Sequence, residues 1–109
     1  MDSTSFDALA EELLGRAREA HSGRAAHTVF GGTGHLLRQT AIALLGGQEL
    51  SEHNSPGEAT LHVLLGRVRL SSPSGSIEAS AGDFVAIPPE RHALAALEDA
   101  VVLLSVVAR

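Results

Sequence analysis

No cysteine, lysine, tryptophan or tyrosine occurs among the 109 residues of this chain. Without cysteine there is no disulfide framework, no thiolate metal site and no cysteine nucleophile. Aromatic residues stop at three Phe, 3% of the chain, so aliphatic side chains must fill the interior. Small and β-branched residues suit a thin β-sandwich, while the stacking platforms that single-stranded nucleic acids and sugar rings rest on are missing. Because lysine is absent, all eight basic residues are Arg; they are scattered, and the formal charge is −5. A nucleic-acid partner is therefore not expected. No apolar run approaches the roughly 20 residues that span a bilayer, and the opening Met1-Asp2-Ser3-Thr4-Ser5 lacks a basic segment followed by an apolar one. These absences point to a soluble cytoplasmic protein with no membrane partner.

What is present is ordinary for one globular domain: 44% hydrophobic and 19% charged residues in a length that supports a single modest core. Phe6, Leu9, Ala10, Leu13, Leu14 and Ala17 recur at the spacing of one helix face. Asp7, Glu11 and Glu12 load the early turns, Arg16 and Arg18 the late ones, and Ser22-Gly23 offers a stop. An amphipathic helix is predicted over Phe6 to His21, its apolar stripe packed on its own barrel or on a sister subunit. Residues 1–24 then form the helix and its connection, and residues 25–109 the remaining body.

From there turn signals crowd the chain, among them Gly31-Gly32-Thr33-Gly34, Gly46-Gly47, Pro56-Gly57, Gly82-Asp83 and Pro88-Pro89. Short β-prone runs lie between them: Ala59–Leu65, Arg67–Leu70, Ile77–Ala79, Phe84–Ile87 and Ala100–Val107. Many short strands with regular turns predict an all-β sandwich or barrel. The run from Val29 to Leu37 imitates the glycine turn of dinucleotide-binding domains, but Leu37 stands where a third glycine belongs and no βα alternation follows. No nucleotide cofactor is expected. The stretch Leu37, Ala41, Leu44, Leu45 fits either a strand or a helix face.

Two spaced motifs carry the functional signal. In the first, Gly47 is followed after five residues by His53, then Asn54 and Ser55, then after three residues by Ala59 and after six by Gly66. In the second, Gly82 is followed after five residues by Pro88, then Pro89-Glu90-Arg91-His92, with Ala96 four positions on. This arrangement resembles the cupin family, whose motifs run G-x5-H-x-H-x3-E-x6-G and G-x5-P-x-G-x2-H-x3-N. The resemblance covers about Gly34 to Val107; the second motif is one residue short and has Ala96 in place of Asn.

The resemblance implies an all-β cupin jelly-roll barrel, preceded here by the amphipathic helix, with one divalent ion at its mouth. His53 and His92 stand on ligand positions of that pattern. Ser55 replaces the second His and Ala59 the Glu, which removes two of four donors. Stable transition-metal sites normally have three protein ligands or more, so Zn, Ni, Mn or Fe should bind weakly or not at all. Glu58 neighbours the Glu position with the opposite strand parity, shared by Thr60, His62 and Leu64, so Glu58 or His62 could serve as a ligand only through a bulge.

The leading expectation is a barrel that binds a small molecule in a mainly apolar cavity lined by Ser55, Ala59, Leu61, Val63, Val85 and Ile87 around His53 and His92. Two alternatives stay open, a metal-dependent oxygenase or isomerase of the cupin type and a structural or regulatory dimer without pocket chemistry. A homodimer is expected because outward Thr60, His62 and Leu64 leave an apolar sheet face and strand edges.

Overall fold

The N-terminal helix begins where Ser5 accepts a hydrogen bond from the Ala8 amide at 3.3 Å, and in this computed structural model it runs as α1 (Phe6–Glu19). Asp7 lies in its first turn and Arg16 and Arg18 in its last, each complementing the helix dipole. It ends two residues before the predicted His21 because Ala20 turns to extended backbone while its amide still bonds Arg16 O at 2.9 Å. The structure describes residues 1–53 and 57–108, with backbone alone at 52, 53 and 108.

Nine strands follow: β1 (Arg24–Phe30), β2 (Leu37–Leu44), β3 (Glu49–His53), β4 (Gly57–Leu65), β5 (Arg67–Ser72), β6 (Gly75–Ser80), β7 (Phe84–Ile87), β8 (His92–Ala96) and β9 (Ala100–Ala108). They form two sheets, one ordered β1-β2-β9-β4-β7 and the other β3-β8-β5-β6, with every recorded pairing antiparallel. The glycine run Gly31–Gly34 links antiparallel β1 and β2, with His35 N bonded to Gly32 O at 3.1 Å, and no helix follows it.

The stretch that fitted either period is a strand. β2 pairs along its whole length with β9 and over most of it with β1, which settles the backbone. It reads ambiguously because both faces are apolar: Leu44 packs inside the barrel, while Ala41 and Ala43 pack outside against α1. Leu13 and Ala17 of the helix are fully buried there with Val101 of β9, and Leu64 of β4 packs against the same cluster. The small Ala41 and Ala43 let the helix lie close to the sheet.

Inside the barrel Leu44, Leu61, Val63, Val68, Leu70, Leu94 and Val102 form the main core. Along β4 the alternation is regular, with Ala59, Leu61 and Val63 buried and Thr60, His62 and Leu64 half-buried on the outer face. No helix is long and apolar enough to cross a membrane among the described residues.

Candidate functional site

β8 opens on His92, which is 4% exposed and the one buried polar side chain among the described residues. Its Nδ1 lies 3.1 Å from the carbonyl oxygen of Glu90. A carbonyl can only accept, so Nδ1 is the donor of this bond; in a neutral imidazole the other nitrogen, Nε2, is then the lone-pair acceptor. The ring lines a small void of about 20 Å³ whose other walls include Leu50, Leu61, Leu70, Ile87 and Leu94. Such a volume holds about one water molecule.

His53 ends β3 with its Cα directly opposite that of His92, across a register shift that follows Leu50. The backbone thus brings the two expected imidazole positions together; Ser55 lies outside the described residues. Ala59 and Ile87 are Cα partners on β4 and β7, each 8% exposed. Both line a groove of about 540 Å³ at the start of β4 and the end of β7, together with Glu58, Thr60 and Pro89. Ile87 is therefore a wall shared by the groove and the void.

The remaining expected pocket residues divide. Leu61 lines the void, whereas Val63 is fully buried in the core. Val85 lines a separate cleft of about 280 Å³, bounded by Ser72, Ser74 and Pro88 and by Leu70, which also borders the void. Among the described residues, long aliphatic side chains from both sheets meet across the interior.

Glu58 is exposed and pairs in register with Val107, and His62 sits opposite Phe84 and Leu103 on the outer face. The register shift between β4 and β9 falls later, between Val63 and Leu65, so no bulge turns either side chain inward. Ala59 offers no donor atom, and no group of three His, Asp or Glu gathers among the described residues. The described donors do not fit a three-His, one-Glu metal centre.

One pair of contacts had no signal in the sequence. Ser74, in the β5–β6 turn, donates its hydroxyl to the Glu90 carboxylate, and Ser72 lies 3.1 Å from Ser74 across their hydroxyls. These hydroxyls, Ser74 first and then Ser72, hold the Glu90 carboxyl below its ordinary pKa. Turn serines and a turn glutamate sixteen positions apart read as solvated residues until the fold places them together.

No family model and no curated protein sequence matches this chain. Solved structures do. A conserved protein of unknown function from Streptococcus pyogenes shares 27% identity at a TM-score of 0.73, covering 83% of this chain and 78% of that one. A cupin superfamily protein from Desulfitobacterium hafniense matches at 15% identity and a TM-score of 0.72, over 79% and 78% of the two chains. The salicylate 1,2-dioxygenase of Pseudoaminobacter salicylatoxidans, solved as a mutant with gentisate, gives a TM-score of 0.78 at 16% identity. That match covers 94% of this chain but 32% of the dioxygenase. The two antiparallel sheets and these likenesses define the class: a cupin jelly roll. The chain is a small cupin-fold protein with an N-terminal helix packed on the outer face of its larger sheet.

Proposed function

We propose that this barrel binds a small, largely apolar molecule carrying one hydrogen-bonding group, at the end where His53 and His92 stand opposite each other, and that it does so without a resident four-ligand metal. The observation that carries this reading is His92: a buried imidazole that lines a void beside aliphatic side chains, with its Nδ1 bonded to Glu90 O, which in the neutral ring makes Nε2 the acceptor. Apolar sites with a single convergent polar group orient a ligand by that group and gain affinity from the surrounding surface. The groove supplies the volume that the void lacks, and Ile87 is the side chain between them. A ligand that enters from the groove passes Ile87 to reach His92.

Metal-dependent oxygenase chemistry is less well supported, since Ala59 removes the carboxylate donor. The test is native mass spectrometry of the full chain as purified, followed by titration with phenol and cyclohexanol, small and largely apolar molecules that each carry one hydroxyl able to donate to Nε2. Wild type should retain or take up a ligand of low mass, and His92→Leu should lose at least about tenfold in affinity, roughly 1.4 kcal/mol. Equal binding by both proteins would remove the site from His92; binding by neither would favour a barrel that serves as a structural or regulatory dimer.

The same reading includes a homodimer. Beyond the helix, the outer face of the larger sheet carries half-buried Thr60 and His62 beside Phe84, which is 65% exposed. Among the described residues this central part of the face bears no fixed charge, with exposed Glu58 at its edge, so two copies can meet there with little like-charge repulsion. Light scattering at micromolar concentration should give twice the chain mass, and Phe84→Glu should return it to the monomer value.

A further inference from the structure

The loop Pro88–Arg91 delivers His92 to the barrel, and its shape rests on three contacts that all involve Glu90. The Glu90 amide donates to Pro88 O at 2.8 Å, closing the turn. The Glu90 carbonyl accepts from His92 Nδ1 at 3.1 Å. The Glu90 carboxylate accepts from the Ser74 hydroxyl, which reaches across from the β5–β6 hairpin with Ser72 beside it. One residue thus holds the imidazole with its backbone and a distant hairpin with its side chain. The hairpin end is itself braced, because Ser72 Oγ also reaches Gly75 O at 3.4 Å.

We propose that Ser74 and Glu90 form a latch by which the β5–β6 hairpin sets the orientation and tautomer of His92, making Glu90 a positioning residue for the binding site. The proposal deepens the reading of His92 as the ligand-orienting group and rests on it for its functional meaning. Its physical content is separate. With the carboxylate held, the Glu90 peptide keeps its carbonyl aimed at Nδ1, and the neutral ring is confined to the Nδ1-protonated form. Released from Ser74, that peptide can rotate, the carbonyl no longer selects one nitrogen, and the two tautomers interconvert.

Long-range proton–nitrogen correlation of the histidine rings in the full-length protein reads this directly. It is run without ligand at about pH 8, where a histidine of ordinary pKa is neutral. His92 is assigned by the signal missing from His92→Leu. The wild-type ring should show Nδ1 protonated and Nε2 unprotonated. In Ser74→Ala and in Glu90→Ala both nitrogen signals should shift toward averaged positions. Glu90→Gln, whose amide oxygen still accepts from Ser74, should restore the wild-type pattern. Ser76→Ala, in the same hairpin but outside the latch, should leave it unchanged.

An unshifted His92 ring in Ser74→Ala, an exposed turn substitution that the fold should tolerate, overturns the latch. So does an equal shift in Ser76→Ala, which would mean that any disturbance of the hairpin suffices. Because no ligand is present, failure of the latch and failure of the binding reading are distinguishable: shifted rings with no ligand uptake leave the latch standing, and ligand uptake with unshifted rings removes it.

Discussion

A β-carbon placed on Gly66 would lie 2.1 Å from the carbonyl oxygen of Asp99 and 2.8 Å from the Cα of Ala100. Gly66 joins β4 to β5 with φ of +77°, so both its dihedral and the close backbone of the β8–β9 turn exclude a side chain. This is why the first motif ends on glycine. Gly66→Ala should cost more than about 2 kcal/mol, the sum of a left-handed dihedral and a clash with backbone that cannot move aside. Urea unfolding measures it, and a loss under about 1 kcal/mol would mean that the turn is looser than described.

The helix is part of the fold's stability and not an appendage. Leu13 is fully buried between α1 and the larger sheet, against a floor that includes Ala41, Ala43 and Val101. Leu13→Ala should destabilise the chain by about 2–5 kcal/mol, the range for deleting a buried leucine. Denaturant unfolding followed by circular dichroism should keep a single transition at a lower midpoint. A separate early transition would instead mean that the helix undocks by itself.

The missing donors can be restored. Ser55→His with Ala59→Glu would return both absent ligand types to the pattern, raising the donor count from two to four. Affinity for Zn, Ni or Mn, measured calorimetrically, should rise at least about tenfold, or about 1.4 kcal/mol. Ala59 faces Ile87 in the core but also borders the groove, so a longer side chain should cost about 1–3 kcal/mol in stability, read by thermal melting. Unchanged affinity in a folded double variant would mean that the motif positions do not converge.

Two carboxylates contribute to the acid side of the stability profile. Glu78 is held below its ordinary pKa chiefly by the hydrogen bond from Arg69 at 3.1 Å, assisted by the charges of Arg69 and Arg67, and Glu90 by Ser74 and Ser72. A carboxyl whose folded pKa lies below its unfolded value of about 4.3 adds stability above that value and loses it as pH falls through the folded one. The melting temperature should therefore decline below about pH 4.3 through these groups. Glu78→Gln and Glu90→Gln should each flatten that decline, and acid limbs identical to wild type would contradict the assignment.

Much of this architecture was written locally. The helix stripe from Phe6 to Ala17, the alternation of Ala59, Leu61 and Val63, and the glycines at the turns are properties of neighbouring residues, so a one-dimensional pattern holds them. The spacing of the two motifs likewise located His92 and the backbone position opposite it at His53. Strand β2 was blurred because α1 buries its outer face, a fact about a segment at the other end of the chain. What the fold alone decided is which side chains meet. Val63 is enclosed in the core while Val85 faces the Ser72–Ser74 cleft, and Ser74 reaches Glu90, whose own carbonyl holds His92. Contacts across the two sheets depend on register and on how aliphatic side chains fill the space between them, and neither quantity exists until the chain is closed into a barrel.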